Sequence, residues 1–127
     1  MNPHIEQAKA LLAAARRDQI TFRILRRAHE APAETTLFHA QQAIEKGLKS
    51  VLVVQGIVFP RTHDLIELCE LASRHSIIVP VNRELIARLG PYAVEFRYFG
   101  VKAPEVTLAE AEAAVEALMA WAHTQMA

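Results

Sequence analysis

The stretch Pro60-Arg61-Thr62-His63-Asp64 gathers a guanidinium, a hydroxyl, an imidazole and a carboxylate within five residues. Histidine changes charge near neutral pH, so His63 is a candidate proton shuttle. His63 and Asp64 are adjacent, and adjacent helix residues point apart, so the two make no dyad by themselves. The plainer use of this stretch is to cap a helix and anchor a loop. A second group is Gln41, Gln42, Glu45 and Lys49, a polar stripe at helical spacing, with Glu45 and Lys49 in the favourable i,i+4 order. Two amides, a carboxylate and an ammonium can line a groove for a nucleotide or a partner. They can equally form a hydrogen-bonded seam between helices. A third group is Arg16, Arg23 and Arg27, spaced 7 and 4 along one helix face and flanked by Arg17 and Arg26. It suits phosphate or an acidic partner, or it is a solvated face with its cations toward the helix carboxyl end. Asp18 projects onto the apolar side between Ala15 and Phe22, where a carboxylate needs a cation or several donors; we read it as a structural ion pair.

These groups need helices to hold them. Ala is abundant, Gly scarce, and apolar residues recur at a period of 3.6. The pattern predicts a first helix over about Pro3 to His29, stopped by Ala31-Pro32-Ala33. A second runs over about Glu34 to Ile57 and closes at Gly56 and Pro60, with His39 on its solvent side. A third starts near Arg61, capped by Thr62. A fourth starts after the cap Asn82, is interrupted at Gly90-Pro91 and resumes over Tyr92 to Tyr98. A fifth opens with the capping-box pattern Thr107…Glu110. Ile77 to Val81, flanked by proline and lacking any partner strand, reads as an extended connection. The economical packing is an all-α, antiparallel up-and-down bundle of four to five helices, in one domain over residues 1–127. No repeat or low-complexity linker interrupts it.

Composition narrows the function classes. The chain is 52% hydrophobic and 22% charged, which suits a packed core and not a disordered chain. Lys plus Arg and Asp plus Glu are both 14, which excludes a uniformly basic nucleic-acid coat and lowers the repulsion that opposes self-association. The neutrality is segregated: residues 1–30 carry +3 and residues 103–127 carry −4. An acidic fifth helix can therefore compensate the basic first one. The single Cys69 allows no internal disulfide and no cysteine-based zinc site, so the expected compartment is the cytoplasm. No apolar run reaches membrane-spanning length, and the amino terminus lacks the layout of a signal peptide. Gly-rich phosphate loops, GxSxG, HExxH and acidic calcium loops are absent, and no His pair has metal spacing. We expect neither cofactor nor metal.

Three stretches carry a resemblance: Phe38-His39-Ala40-Gln41-Gln42-Ala43-Ile44-Glu45-Lys46-Gly47-Leu48-Lys49, then Arg61-Thr62-His63-Asp64-Leu65, then Tyr92-Ala93-Val94-Glu95-Phe96-Arg97-Tyr98. In this order they resemble the HEPN domain (higher eukaryotes and prokaryotes nucleotide-binding), nearest its small prokaryotic branch encoded beside minimal nucleotidyltransferases. The resemblance implies a helical bundle, a homodimer, and work with a nucleotidyltransferase in a toxin–antitoxin type of pair. Many relatives are metal-independent endoribonucleases that use Arg, four to six residues, then His near the start of the fourth helix. Here Arg97 is followed at the matching positions by Lys102, Ala103 and Pro104, and no His comes before His123. The expectation is thus a non-catalytic module binding nucleotide or RNA through Gln41, Glu45, Lys49, Arg61, His63, Asp64, Arg97 and Tyr98. The alternatives are a ribonuclease toxin using Arg97 and His63, and an oligomeric scaffold.

Overall fold

A computed structural model describes residues 2–94 and 104–126. It contains α1 (Ile5–Arg27), α2 (Ala33–Val54), α3 (Leu65–Arg74), α4 (Arg83–Leu89) with a 3₁₀ turn at Gly90–Ala93, and α5 (Leu108–Gln125). The all-α bundle is as expected from the periodicity. Ile77 to Val81 form no strand and connect α3 to α4. Among the described residues no helix is long and apolar enough to cross a membrane.

The centre of the fold is α2. Thirteen of its 22 residues are buried, against five of 23 in α1, so α2 meets protein on nearly every side. Phe22 of α1, Ile44 and Leu48 of α2, Leu68 of α3, Ile86 of α4 and Leu118 of α5 share one core. Small residues set the spacing of the helices: Ala8 and Ala15 on α1, Ala40 and Ala43 on α2, Ala111 and Ala122 on α5 are fully buried. At Gly47 the approach is closest, because a Cβ there would lie 3.0 Å from Leu118 Cδ1 and 3.5 Å from Met119 Sδ.

The helix ends show where local chemistry decides and where it does not. Asn82 caps α4 by accepting from Glu84 N and Leu85 N at 2.9 and 3.1 Å. Thr107 and Glu110 close the expected capping box on α5. The cap of α3 is Asp64 and not Thr62, so that helix starts at Leu65. Asp64 Oδ1 accepts from Ile66 N at 3.0 Å, while Thr62 Oγ1 sits one step earlier and accepts from Asp64 N. The second helix stops at Val54, short of Ile57, because Gly56 turns left-handed (φ 74°) and Ile57 N closes back onto Leu52 O at 2.9 Å. Of the run expected from Tyr92 to Tyr98, Tyr92 and Ala93 belong to the 3₁₀ turn and Val94 is extended. Residues 95–98, with Arg97 and Tyr98, lie outside the described residues.

Cross-ties hold the two ends of the fourth and fifth helices together. Arg88 grips Glu110 with two hydrogen bonds at 3.0 and 3.1 Å and donates to Glu105 O at 2.9 Å. The Arg88 guanidinium, with help from the Thr107 backbone N–H, holds the Glu110 carboxyl at about 2, well below its ordinary range. Tyr92 OH donates to Pro104 O at 2.8 Å.

Two substitutions test this packing. Gly47→Leu drives a side chain into Leu118, and urea unfolding should register a loss of about 3 kcal/mol, the upper range for overpacking. Ser76 ends α3 in the left-handed region (φ 61°), where a side chain is strained. Ser76→Gly should raise stability by roughly 1 kcal/mol in the same assay.

Candidate functional site

Glu45 organises the polar side of α2. It lies in the middle of the helix, 2% exposed, and an ionised carboxylate in such a place requires donors on its oxygens. It has three. Lys49, one turn on, donates to Oε2 at 3.0 Å; Gln41, one turn back, donates to Oε1 at 3.0 Å. The third is His63, whose Nδ1 lies 2.9 Å from Oε2. Burial pushes the Glu45 carboxyl up, but hydrogen bonds from His63, Gln41 and Lys49 and the Lys49 charge outweigh it and leave the carboxyl below its ordinary value.

The loop before α3 delivers His63, and Gln41 holds that loop through a 3.4 Å bond to the His63 carbonyl. A carboxylate only accepts, so Nδ1 is the nitrogen that carries hydrogen and Nε2 is the acceptor of the neutral ring. The side chain of His63 is 72% exposed while that of Glu45 is 3% exposed. A fixed imidazole with its outer nitrogen open to solvent can accept a proton, return one, or hold a phosphate oxygen when protonated. Lys49 also sits 5.8 Å from the centroid of the Phe59 ring, at the edge of cation–π range.

Of the residues singled out in the sequence, Gln41, Glu45, Lys49 and His63 come together. Arg61 is exposed on the same loop. Asp64 is occupied as the α3 cap, one residue from His63 but outside the cluster. The structure does not describe where Arg97 and Tyr98 lie. Gln42 extends the network by donating to Gln41 Oε1 at 2.6 Å.

A second carboxylate repeats the arrangement. Asp18 does form the ion pair its apolar position required, with Lys46 at 2.6 Å. Its other oxygen meets Nδ1 of His39 at 3.0 Å. The expectation that His39 faces solvent is therefore corrected: it is half-buried at the α1–α2 seam, because α2 has a helix on the side opposite its main apolar face. Both carboxylates thus hold one lysine and one histidine. Sequence spacing gave no sign of either histidine's partner, since each pair joins different elements.

The basic stripe of α1 is partly neutralised within the chain, as its charge balance suggested. Arg23 pairs with Glu116 at 2.6 Å and Arg26 with Glu112 at 2.5 Å. Arg16 donates to Gln19 Oε1 at 2.7 Å, and Arg17 and Arg27 are exposed. Among the described residues no group of three His, Cys, Asp or Glu side chains is placed to hold a metal ion.

Removing the Glu45 charge should expose what it balances. Glu45→Ala leaves Lys49 without its carboxylate and should cost about 3 kcal/mol in chemical unfolding; adding Lys49→Met should restore most of that loss. The pH dependence has a definite sign. The folded carboxyl titrates below its ordinary value of 4.5, so its contribution is complete above that pH and fades as pH falls through the folded value. The wild type should lose stability below pH 4.5 more steeply than Glu45→Gln.

The family model of the HEPN domain matches residues 3–122 of the chain. No curated protein and no solved structure matches it.

Proposed function

The chain belongs to the HEPN domain family, and from that premise we propose that it is a non-catalytic binding module of the small prokaryotic branch, a homodimer paired with a minimal nucleotidyltransferase in the cytoplasm. The edge of the bundle carrying Lys49, Arg61 and His63 takes the phosphate of a nucleotide or an RNA end, with Arg97 and Tyr98 assigned to the same surface. The observation that carries this reading is the meeting of two of the three characteristic stretches. Gln41, Glu45 and Lys49 from one, and His63 from another, form one cluster whose only strongly exposed member is the imidazole. Glu45 fixes that ring, Lys49 adds charge beside it, and a phosphate oxygen is the complement. The binding reading ranks first because Lys102, Ala103 and Pro104 occupy the positions where a ribonuclease of this family has its histidine.

A metal-independent endoribonuclease is the second reading, favoured by the Glu45–His63 contact. An imidazole oriented through Nδ1 can take the proton of an attacking 2′-hydroxyl at Nε2, with Arg97 stabilising charge on the phosphate. The two readings part in simple assays. Under the first, the chain co-purifies with the product of an adjacent nucleotidyltransferase gene and binds ATP or a short RNA. His63→Ala and Arg61→Ala then weaken that binding about tenfold each, the worth of one charge-assisted hydrogen bond. Failure to bind either nucleotide or nucleotidyltransferase removes the first reading. Under the second, RNA is cut in the presence of EDTA, and both His63→Ala and Arg97→Ala abolish cleavage; full activity of Arg97→Ala rejects that assignment.

A further inference from the structure

The cations of α1 outrun the acids of α5. The helices run antiparallel, with Arg26 on Glu112 and Arg23 on Glu116 as successive rungs. Toward the amino end of α1 the ladder stops. Arg16 and Lys9 follow on the same side of α1, but the next positions of α5 on this side are Met119, Ala120 and His123. Neither cation forms an ion pair among the described residues.

Where the ladder stops a cleft of about 610 Å³ opens between the two helices. That falls in the roughly 300–1,000 Å³ range of small-molecule sites. Leu12, Ala13, Met119 and Ala120 supply its apolar lining, and Lys9, Arg16 and His123 line it beside them. Glu116 stands at one end with its Oε1 held by Arg23 at 2.6 and 3.1 Å.

One polar group in the lining keeps a donor free of protein partners among the described residues. Gln19 is 2% exposed and lines the cleft. Arginine only donates, so the oxygen of the Gln19 amide must be the atom facing Arg16, as the 2.7 Å bond records. That leaves Nε2 as a donor on the cleft wall with no protein partner among the described residues, in reach of solvent and not a buried unpartnered atom. Water can take that hydrogen in the open cleft, and an acceptor on a ligand can replace the water.

We propose that this cleft binds a small amphiphile with an apolar body and an anionic, oxygen-bearing head, of the size of a medium-chain carboxylate. The body lies on Leu12 and Met119. The head accepts from Gln19 Nε2 and pairs with Arg16, whose guanidinium the Gln19 oxygen already orients, while Lys9 supplies the long-range field. The site is independent of the His63 cluster, and its success or failure leaves the proposed function untouched.

Octanoate is the probe, titrated calorimetrically into the full chain below its micelle threshold, with 1-octanol as the uncharged equivalent. One saturable octanoate site per chain is expected, with octanol at least about tenfold weaker. Arg16→Glu and Lys9→Glu change exposed positions and should each weaken octanoate about tenfold without moving the unfolding midpoint of the free protein. Gln19→Leu should weaken it severalfold, and His63→Ala should leave it unchanged. Absence of saturation, equal binding of octanol, or full affinity in Arg16→Glu overturns the proposal. So does sedimentation showing that octanoate fails to bind while Arg16→Glu dissociates a dimer, for then a second copy covers the cleft.

Discussion

An ionised carboxylate inside a helical bundle must be answered by its immediate neighbours, and Glu45 imposes that demand at the centre of this fold. Because α2 is enclosed by other helices, water cannot supply the donors. Lys49 and Gln41 come from the same helix one turn away on either side, which costs no tertiary order. The third donor has to come from elsewhere, and it is His63. That requirement fixes the loop before α3 against α2, and Gln41 secures it again through the backbone of His63. The start of α3, capped by the next residue along, follows from the same attachment. A group buried for reasons of charge thus determines the placement of a loop that is itself exposed.

The repetition at Asp18 gives the bundle a second anchor of the same chemical kind. Asp18 ties α1 to α2 through Lys46 and His39, and Glu45 ties α2 to the loop before α3. In each case the carboxylate is the most buried member, and the lysine and histidine partners reach it from more accessible positions. This arrangement leaves the acid committed and the bases partly available. It differs from the Arg23–Glu116 and Arg26–Glu112 pairs, where both partners are substantially solvated and the energetic return is small. Those rungs set the register of α1 against α5 more than they stabilise it.

How far the sequence could be read follows from the range of each interaction. The helices were legible because their period is local, and so were the caps at Asn82 and Thr107, each satisfied within three residues. The α3 cap was misassigned because Thr62 and Asp64 both accept backbone hydrogens two residues ahead, and only the geometry distinguishes the one that opens the helix. Asp18 announced its burial by its place between Ala15 and Phe22, and its pairing with Lys46 met that requirement. His39 was misread because a helical wheel with one apolar face assumes solvent on the other, and α2 has α1 there. The polar stripe of Gln41, Glu45 and Lys49 was visible as residues at helical spacing. Its joining to His63, 18 residues away across a loop, carries no periodic signal. The cleft beside Arg16 was illegible for the same reason, since it depends on where the acids of α5 run out relative to α1.

The hydrogen bond from Tyr92 to the carbonyl of Pro104 works as a stitch across the neck of the intervening chain. With Arg88 fastened to Glu105 and Glu110 just beyond it, the entry to α5 is registered against the exit from α4 by groups on either side of the gap. The number of residues between the two ends is thereby released from the task of positioning α5. The register of α4 against α5 is set at both ends of the interval, by Arg88 and Tyr92 on one side and Pro104, Glu105 and Glu110 on the other.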